Sequence, residues 1–212
     1  MGSDLSSGVA ERVSSLPLCS SSPMESMKKL NCLRPAFVTA VLAWCGIAVS
    51  ASNALAERQV VSLDGQWAIA EGSMEAGPTQ FEHRVPVPGL VDEARPAFAE
   101  VGQKCERREA FWYRRTFRVK GEVPAVATLK LSKAAYGARV LLNGVLLGEH
   151  LPSFTPGYFD ARPALRGNGA ENEVVVRVGA TREALPPTVA SGWDHEKVRY
   201  IPGLFDSVEL IL

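Results

Sequence analysis

Cysteine is scarce where it would matter. The 212-residue chain has four, but Cys19, Cys32 and Cys45 all precede residue 56, and Cys105 alone follows it. A lone thiol closes no intrachain disulfide, which excludes the cross-linked scaffold common in small exported domains. Cys105 sits among Lys104, Arg107 and Arg108, cations that lower a thiol's pKa. No base stands near it in the sequence, so it reads as an incidental thiol. Histidine is equally thin: His83, His150 and His195 are isolated, whereas zinc ligands come in closely spaced pairs. No metal and no cofactor is expected. G-x-S-x-G, H-E-x-x-H, G-x-x-x-x-G-K and C-x-x-C are all absent, which removes the common hydrolase, metalloprotease, P-loop and redox signatures. Charge of one sign is lacking too, with 23 basic and 23 acidic residues. Such a balance points to no nucleic-acid or membrane-surface partner.

Long apolar runs are missing as well. The longest, Arg34 to Ser50 (RPAFVTAVLAWCGIAVS), is short of the roughly 20 residues a bilayer span needs. Lys28 and Lys29 precede it, and Ala54-Leu55-Ala56 follows as a small-x-small site. Basic region, short apolar region and A-x-A site predict a secretory signal peptide cleaved after Ala56, hence a secreted or periplasmic destination. Met24 or Met27 gives a leader of ordinary length. Trp44, bulky and directly before Cys45, argues against lipid attachment there. The division expected is therefore a leader over residues 1–56 and one domain over 57–212. Losing Arg12, Lys28, Lys29, Arg34, Asp4, Glu11 and Glu25 leaves the mature chain at a net charge of −1.

What is present is alternation. FWYRRTFRV places Tyr113, Arg115, Phe117 and Val119 on one face, and Trp112, Arg114, Thr116 and Arg118 on the other. ATLKLS sets Leu129 and Leu131 on one side. ARVLLNGVLLGEH is two apolar runs joined by Asn143-Gly144, a strong short hairpin signal. NEVVVRVGA and DSVELIL complete the series, and VVSLDGQWAIAEG turns at Asp64-Gly65. Period-two patterning marks strands with one face in a core. Only Asp92 to Lys104 offers room for a helical turn. Short strands at this length predict an all-β fold, a jelly-roll β-sandwich.

Seven segments occur in a telling order: LDGQW at Leu63, VPVPGL at Val85, FWYRRTF at Phe111, YGARVLLNGVLLGEH at Tyr136, FTPGYFD at Phe154, NEVVVRV at Asn172 and IPGLFDSVEL at Ile201. This order resembles the N-terminal sugar-binding domain of glycoside hydrolase family 2, the family of β-galactosidases, β-glucuronidases and β-mannosidases. The resemblance covers nearly all of Val61 to Leu212. It implies a galactose-binding-domain-like jelly roll, followed in that family by an immunoglobulin-like domain and a catalytic barrel.

Most of these segments have structural reasons of their own. Trp67 and Tyr113 suit a core whose polar edge reaches a partner. Pro86, Pro88 and Gly89 fix an extended entry and a bend, and Asn143-Gly144 a type I′ turn. Pro156-Gly157 suits a type II turn, and Asp160 can cap the next short segment. Pro202-Gly203 likewise reads as a turn.

Trp193 to Tyr200 (WDHEKVRY) differs, with Asp194, His195, Glu196, Lys197 and Arg199 bracketed by Trp193 and Tyr200. Aromatic faces stack on the C–H faces of sugars while charged groups hold hydroxyls, so carbohydrate is the expected ligand. In the resembled family the loop before the last G-[IL]-[FWYH] strand reaches the active site of the barrel. The resemblance implies that Asp194, or else Glu196, contacts the sugar, with Trp193, Arg199 and Tyr200 beside it. A retaining glycosidase also needs two carboxyls about 5 Å apart. In the resembled family both lie on the barrel, so no catalytic residue is expected in this chain.

Three readings stay open. The chain is the N-terminal part of an exported family 2 glycosidase acting on O-glycosidic bonds, a free-standing secreted carbohydrate-binding module, or an interaction domain that kept only the sandwich. Its apolar ending, Leu210-Ile211-Leu212, favours the first.

Overall fold

The computed structural model describes residues 57–102, 108–192 and 199–212. The leader, the cleavage site at Ala56, Cys105 and the stretch from Trp193 to Val198 lie outside the described residues. In chain order the strands begin with β1 Val60–Ser62, β2 Gly65–Gly72, β3 His83–Val87 and β4 Gly89–Leu90. Then come β5 Ala110–Arg118, β6 Thr128–Leu131, β7 Ala138–Leu142 and β8 Val145–His150. The last four are β9 Gly157–Asp160, β10 Glu171–Gly179, β11 Gly203–Leu204 and β12 Val208–Ile211. Among the described residues no α-helix occurs. The expected helical turn is a single 3-10 turn, Val91–Glu93, and a second covers Arg182–Ala184.

All pairings are antiparallel. Six strands run in the order β3-β2-β5-β10-β7-β8, four in the order β1-β12-β6-β9, and β11 pairs β4. The two larger sheets give the expected all-β sandwich. Trp67, Ile69, Phe111, Tyr113, Val140, Val174, Val176 and Val178 come from the first sheet, and Leu129, Leu131, Phe159, Val208 and Leu210 from the second; all share one buried cluster. Each fully buried aliphatic side chain contributes about 1.5–3 kcal/mol, so the cluster dominates what holds the sheets together.

The chain crosses between sheets at Leu63-Asp64. Leu63 donates its N–H to the Val208 carbonyl at 2.8 Å, and Asp64 Oδ1 accepts the Val208 N–H at 2.9 Å. Trp67, fully buried, donates Nε1 to the Leu63 carbonyl at 2.8 Å and meets Tyr113 edge-on at 6.5 Å. The polar edge expected of Tyr113 is not matched: its hydroxyl makes no hydrogen bond of normal geometry. Burial pushes that phenol well above its ordinary range, with the Leu204 backbone giving partial relief.

Three readings of glycine are resolved by geometry. Asn143 and Gly144 have φ of 52° and 81°, the left-handed pair that a two-residue hairpin requires. Gly157 and Gly203, by contrast, do not form turns; each opens a strand, β9 and β11. A Cβ at Gly157 would lie 2.9 Å from the His150 side chain, and one at Gly203 would lie 2.5 Å from the Gly89 carbonyl oxygen. Glycine serves there by letting backbones approach. The same contact explains VPVPGL and IPGLF together, since Gly203 pairs Leu90 and Leu204 pairs Gly89.

Two polar devices finish the sandwich. Asn172, fully buried, accepts from Asn143 Nδ2 at 2.8 Å and from the Arg166 N–H at 2.8 Å, and donates to the Arg166 carbonyl at 2.8 Å. Asn143 in turn takes the Glu173 N–H and donates to the Ala164 carbonyl. An unsatisfied buried amide would cost about 1–3 kcal/mol; this pair leaves none. Asp160 caps as expected, accepting the Arg162 N–H at 3.1 Å and holding its guanidinium at 2.8 Å. That side-chain contact keeps its carboxyl below the usual range.

On the outer face of the six-stranded sheet, residues 73–77 fold back as a strap. Trp112 Nε1 donates to the Ser73 carbonyl at 2.9 Å and Arg177 Nη1 to the Met74 carbonyl at 3.1 Å. Arg139 reaches Glu75 at 3.5 Å, and Glu109 accepts the Met74 N–H at 2.8 Å. Trp112, on the face opposite Tyr113, is therefore 5% exposed. Arg115 is the converse: it alternates with Tyr113 yet stops at the sheet margin, where Nη1 donates to the Gln66 carbonyl at 3.1 Å.

Candidate functional site

The loop bearing Trp193, Asp194 and Glu196 is known here through its two flanks. On one side Gly192 has φ of 72° and lies so close to Phe154 that a Cβ would come within 2.3 Å of the ring. Phe154 is 53% exposed and meets Phe205 edge-on at 6.1 Å. On the other side Tyr200 packs with Ala135, Tyr136, Leu185, Leu151, Val189 and Phe205 in a satellite cluster. Arg182 lies over its ring at 5.5 Å. Arg199 is exposed. Of the five expected site residues, the structure places these two at one anchor of the loop; the other three are outside the described residues.

Several elements converge on this anchor. Ala135 exchanges backbone hydrogen bonds with Gly203 at 2.9 and 2.8 Å, tying the β6–β7 connection to β11. The Tyr136 carbonyl takes the Gly179 N–H at 3.0 Å, tying it also to the end of β10. Burial, and next the neighbouring Tyr200, push the Tyr136 phenol up to about 12. Gly102, at φ 76°, abuts Arg199, Tyr200 and Ile201 with contacts of 3.1 to 3.5 Å from an added Cβ. A hollow of about 480 Å³ opens at the Ser191 flank, lined by Arg182, Glu183, Pro186, Pro187 and Ser191 among others. The Thr181 side chain, ahead of Arg182, holds the Glu183 carboxyl low.

Chemically, the anchor offers a flat exposed ring at Phe154, a cation at Arg182 and a carboxylate at Glu183 beside the loop flanks. The sequence reading missed all three. Phe154 stood inside a segment explained by its turn, and Arg182-Glu183 carried no pattern; only the contact between Gly192 and Phe154, remote in sequence, brings them in.

The remaining histidines are engaged elsewhere. His83 Nδ1 meets the Pro96 carbonyl at 2.6 Å and its ring stacks on Phe98 at 3.8 Å. His150 Nε2 meets the Thr155 carbonyl at 2.8 Å. A second cleft of about 650 Å³ holds Glu71, Glu82, His83, Glu100 and Arg108. Arg108 there is bound to Glu71 and donates to the Ala99 and Glu100 carbonyls, a closed network rather than a waiting site.

No protein-family model and no curated protein matches this chain. Solved structures do. The chain is similar to β-glucuronidase of Bifidobacterium dentium complexed with coumarin-3-O-glucuronide, at 25% identity and a TM-score of 0.52, over 74% of this chain and 30% of that one. It is similar also to β-glucuronidase of Ruminococcus gnavus, at 21% identity and a TM-score of 0.52, over 73% of this chain and 29% of that one. It thus spans less than a third of the structures it matches. The fold is that of the N-terminal sugar-binding domain of glycoside hydrolase family 2, the resemblance that the seven ordered segments carry in the sequence.

Proposed function

We propose that this chain supplies the sugar-binding domain of an exported family 2 glycosidase. It would complete the pocket of a catalytic barrel that this chain does not contain. The observation that carries the reading is the likeness to the Bifidobacterium dentium β-glucuronidase over 74% of this chain and only 30% of that one. The anchored loop supports it: both flanks of Trp193 to Val198 are fixed, by Gly192 on Phe154 and by Tyr200 in its aromatic cluster. In this reading Asp194, or Glu196 in its place, hydrogen-bonds the sugar, and Trp193, Arg199 and Tyr200 position the loop. The leader ending at Ala56 delivers the protein across a membrane.

Purified chain should not cleave chromogenic β-glucuronide, β-galactoside or β-mannoside, because the carboxyl pair such hydrolysis needs is on the barrel. Joined to the downstream reading frame, it should show activity. There Asp194→Asn should lose about 1.5–3 kcal/mol of transition-state stabilisation, the range for a hydrogen bond to a charged group. Unchanged kcat/KM in both Asp194→Asn and Glu196→Gln would return the loop to a solvated surface. Turnover by the isolated chain would refute the reading altogether. Export is checked by mass spectrometry of the mature N-terminus, expected at Glu57.

A further inference from the structure

Across three neighbouring strands, Arg84 of β3, Ala68 of β2 and Arg114 of β5 lie in one row, by direct pairing of Ala68 with each arginine. Adjacent strands stand about 4.8 Å apart, so the two arginines sit about 10 Å apart with only a methyl group between them. Together with Gln66, Arg115, Thr116 and Glu173 they line a cleft of about 540 Å³ on the outer face of the six-stranded sheet.

The charges in this cleft do not balance. Three arginines and one glutamate line it, and Glu173 approaches Arg114 only to 3.9 Å. Among the described residues no side chain partners the Arg84 guanidinium, whose exposed residue is held through its backbone pairing with Arg95. Arg115 is engaged, with Nη1 on the Gln66 carbonyl at 3.1 Å, so Arg84 and Arg114 are the arginines left to a ligand. Arg114 is oriented by the Phe81 ring, 4.2 Å from its guanidinium. A stacked, fixed guanidinium is pre-organised for forked recognition of planar or tetrahedral oxyanions.

We propose that this cleft is an oxyanion-binding site, taking a carboxylate or sulfate group between Arg84 and Arg114. The anion neutralises the like charges that flank Ala68 and meets the donors that the protein leaves open. The site is separate from Tyr200 and the cluster around it. Tyr136, packed against Tyr200, bonds Gly179 at the Ala110 end of the β5–β10 ladder, while Thr116 and Glu173 pair toward the other end. Arg114 itself pairs Val175, four residues of extended strand from Gly179, about 13 Å. The proposal therefore stands whether or not the loop binds a sugar.

The test is calorimetric titration of the full chain, expressed with its own leader, against sodium sulfate and against trigalacturonate, with sodium chloride at equal ionic strength as reference. At least one probe should bind saturably in the millimolar range or tighter. Arg84→Gln and Arg114→Gln should each weaken that binding tenfold or more, while Arg118→Gln, on the same strand but paired with Glu171 outside the cleft, should not. Tighter binding of trigalacturonate identifies a saccharide-borne carboxylate as the occupant; saturation by sulfate alone identifies a free oxyanion. Arg84→Gln removes no side-chain hydrogen bond or ion pair among the described residues, so it decides the matter if Arg114→Gln fails to fold. Absence of saturation by both probes, or wild-type binding in Arg84→Gln, overturns the proposal.

Discussion

The outer face of the six-stranded sheet carries arginines in both halves, and the two halves treat them differently. On one half Arg139 and Arg177 lie beneath or beside the strap of residues 73–77. Arg177 is 5% exposed, bonds the Met74 carbonyl and approaches Glu149 at 3.7 Å. Arg139 reaches both Glu75 and Glu149. On the other half Arg84, Arg114 and Arg115 border an open cleft with Glu173 as their one acidic neighbour there. Residue type does not decide which arginine is structural. Cover makes the difference: the strap brings the Met74 carbonyl to Arg177 and the Glu75 carboxylate to Arg139, whereas no side chain among the described residues partners Arg84.

That contrast can be broken at its strongest point first. Trp112→Ala removes the indole that fills the space under the strap and bonds Ser73, and should cost about 3–5 kcal/mol in urea unfolding. A loss under 1 kcal/mol would mean that the strap is not seated on the ring. Arg177→Ala comes next, with about 1.5–3 kcal/mol expected from a lost charged hydrogen bond in a buried setting. Limited proteolysis should then cut within residues 73–77 faster than in the wild type. The smallest effect belongs to the open half, where Arg84→Gln should shift stability by less than about 0.5 kcal/mol. A larger destabilisation would show that Arg84 belongs with the covered set after all.

Much of this was legible in the sequence, for a physical reason. Alternation reports which residues share a face of a strand, so Leu129 with Leu131, and Tyr113 opposite Trp112, could be placed from the sequence. Asn143-Gly144 could be read because few residue pairs tolerate two left-handed backbones in a row. The misreadings have one source. Pro156-Gly157 and Pro202-Gly203 look like turns, yet each glycine opens a strand and is small because another segment comes close: His150 in one case, Gly89 in the other. A glycine chosen for backbone freedom and one chosen for lack of bulk are identical in a sequence. The burial of Trp112 has no signal in its own strand either, since the strap that covers it folds back from outside that strand. The charge-rich loop was the other legible feature, and its anchors were not. Gly192 on Phe154 and Tyr200 under Arg182 are contacts between segments with no shared pattern.

The four-stranded sheet has a consequence for when the domain can form. Its second strand, β12, is the last of the described strands in sequence order, and it stands between β1 and β6. Val60 pairs with Ile211, so the first strand waits for a partner made roughly 150 residues later, with a loop-closure cost of about 4.5 kcal/mol. Such distant pairing slows folding. Until Val208 to Ile211 emerges during synthesis, β1 has no neighbour and β6 has only β9. The unfinished chain therefore exposes two unpaired strand edges, the kind of surface on which chains aggregate. The vulnerable period of this domain runs until the strand Val208–Ile211 has been made, and a chain stopped short of Val208 never leaves it.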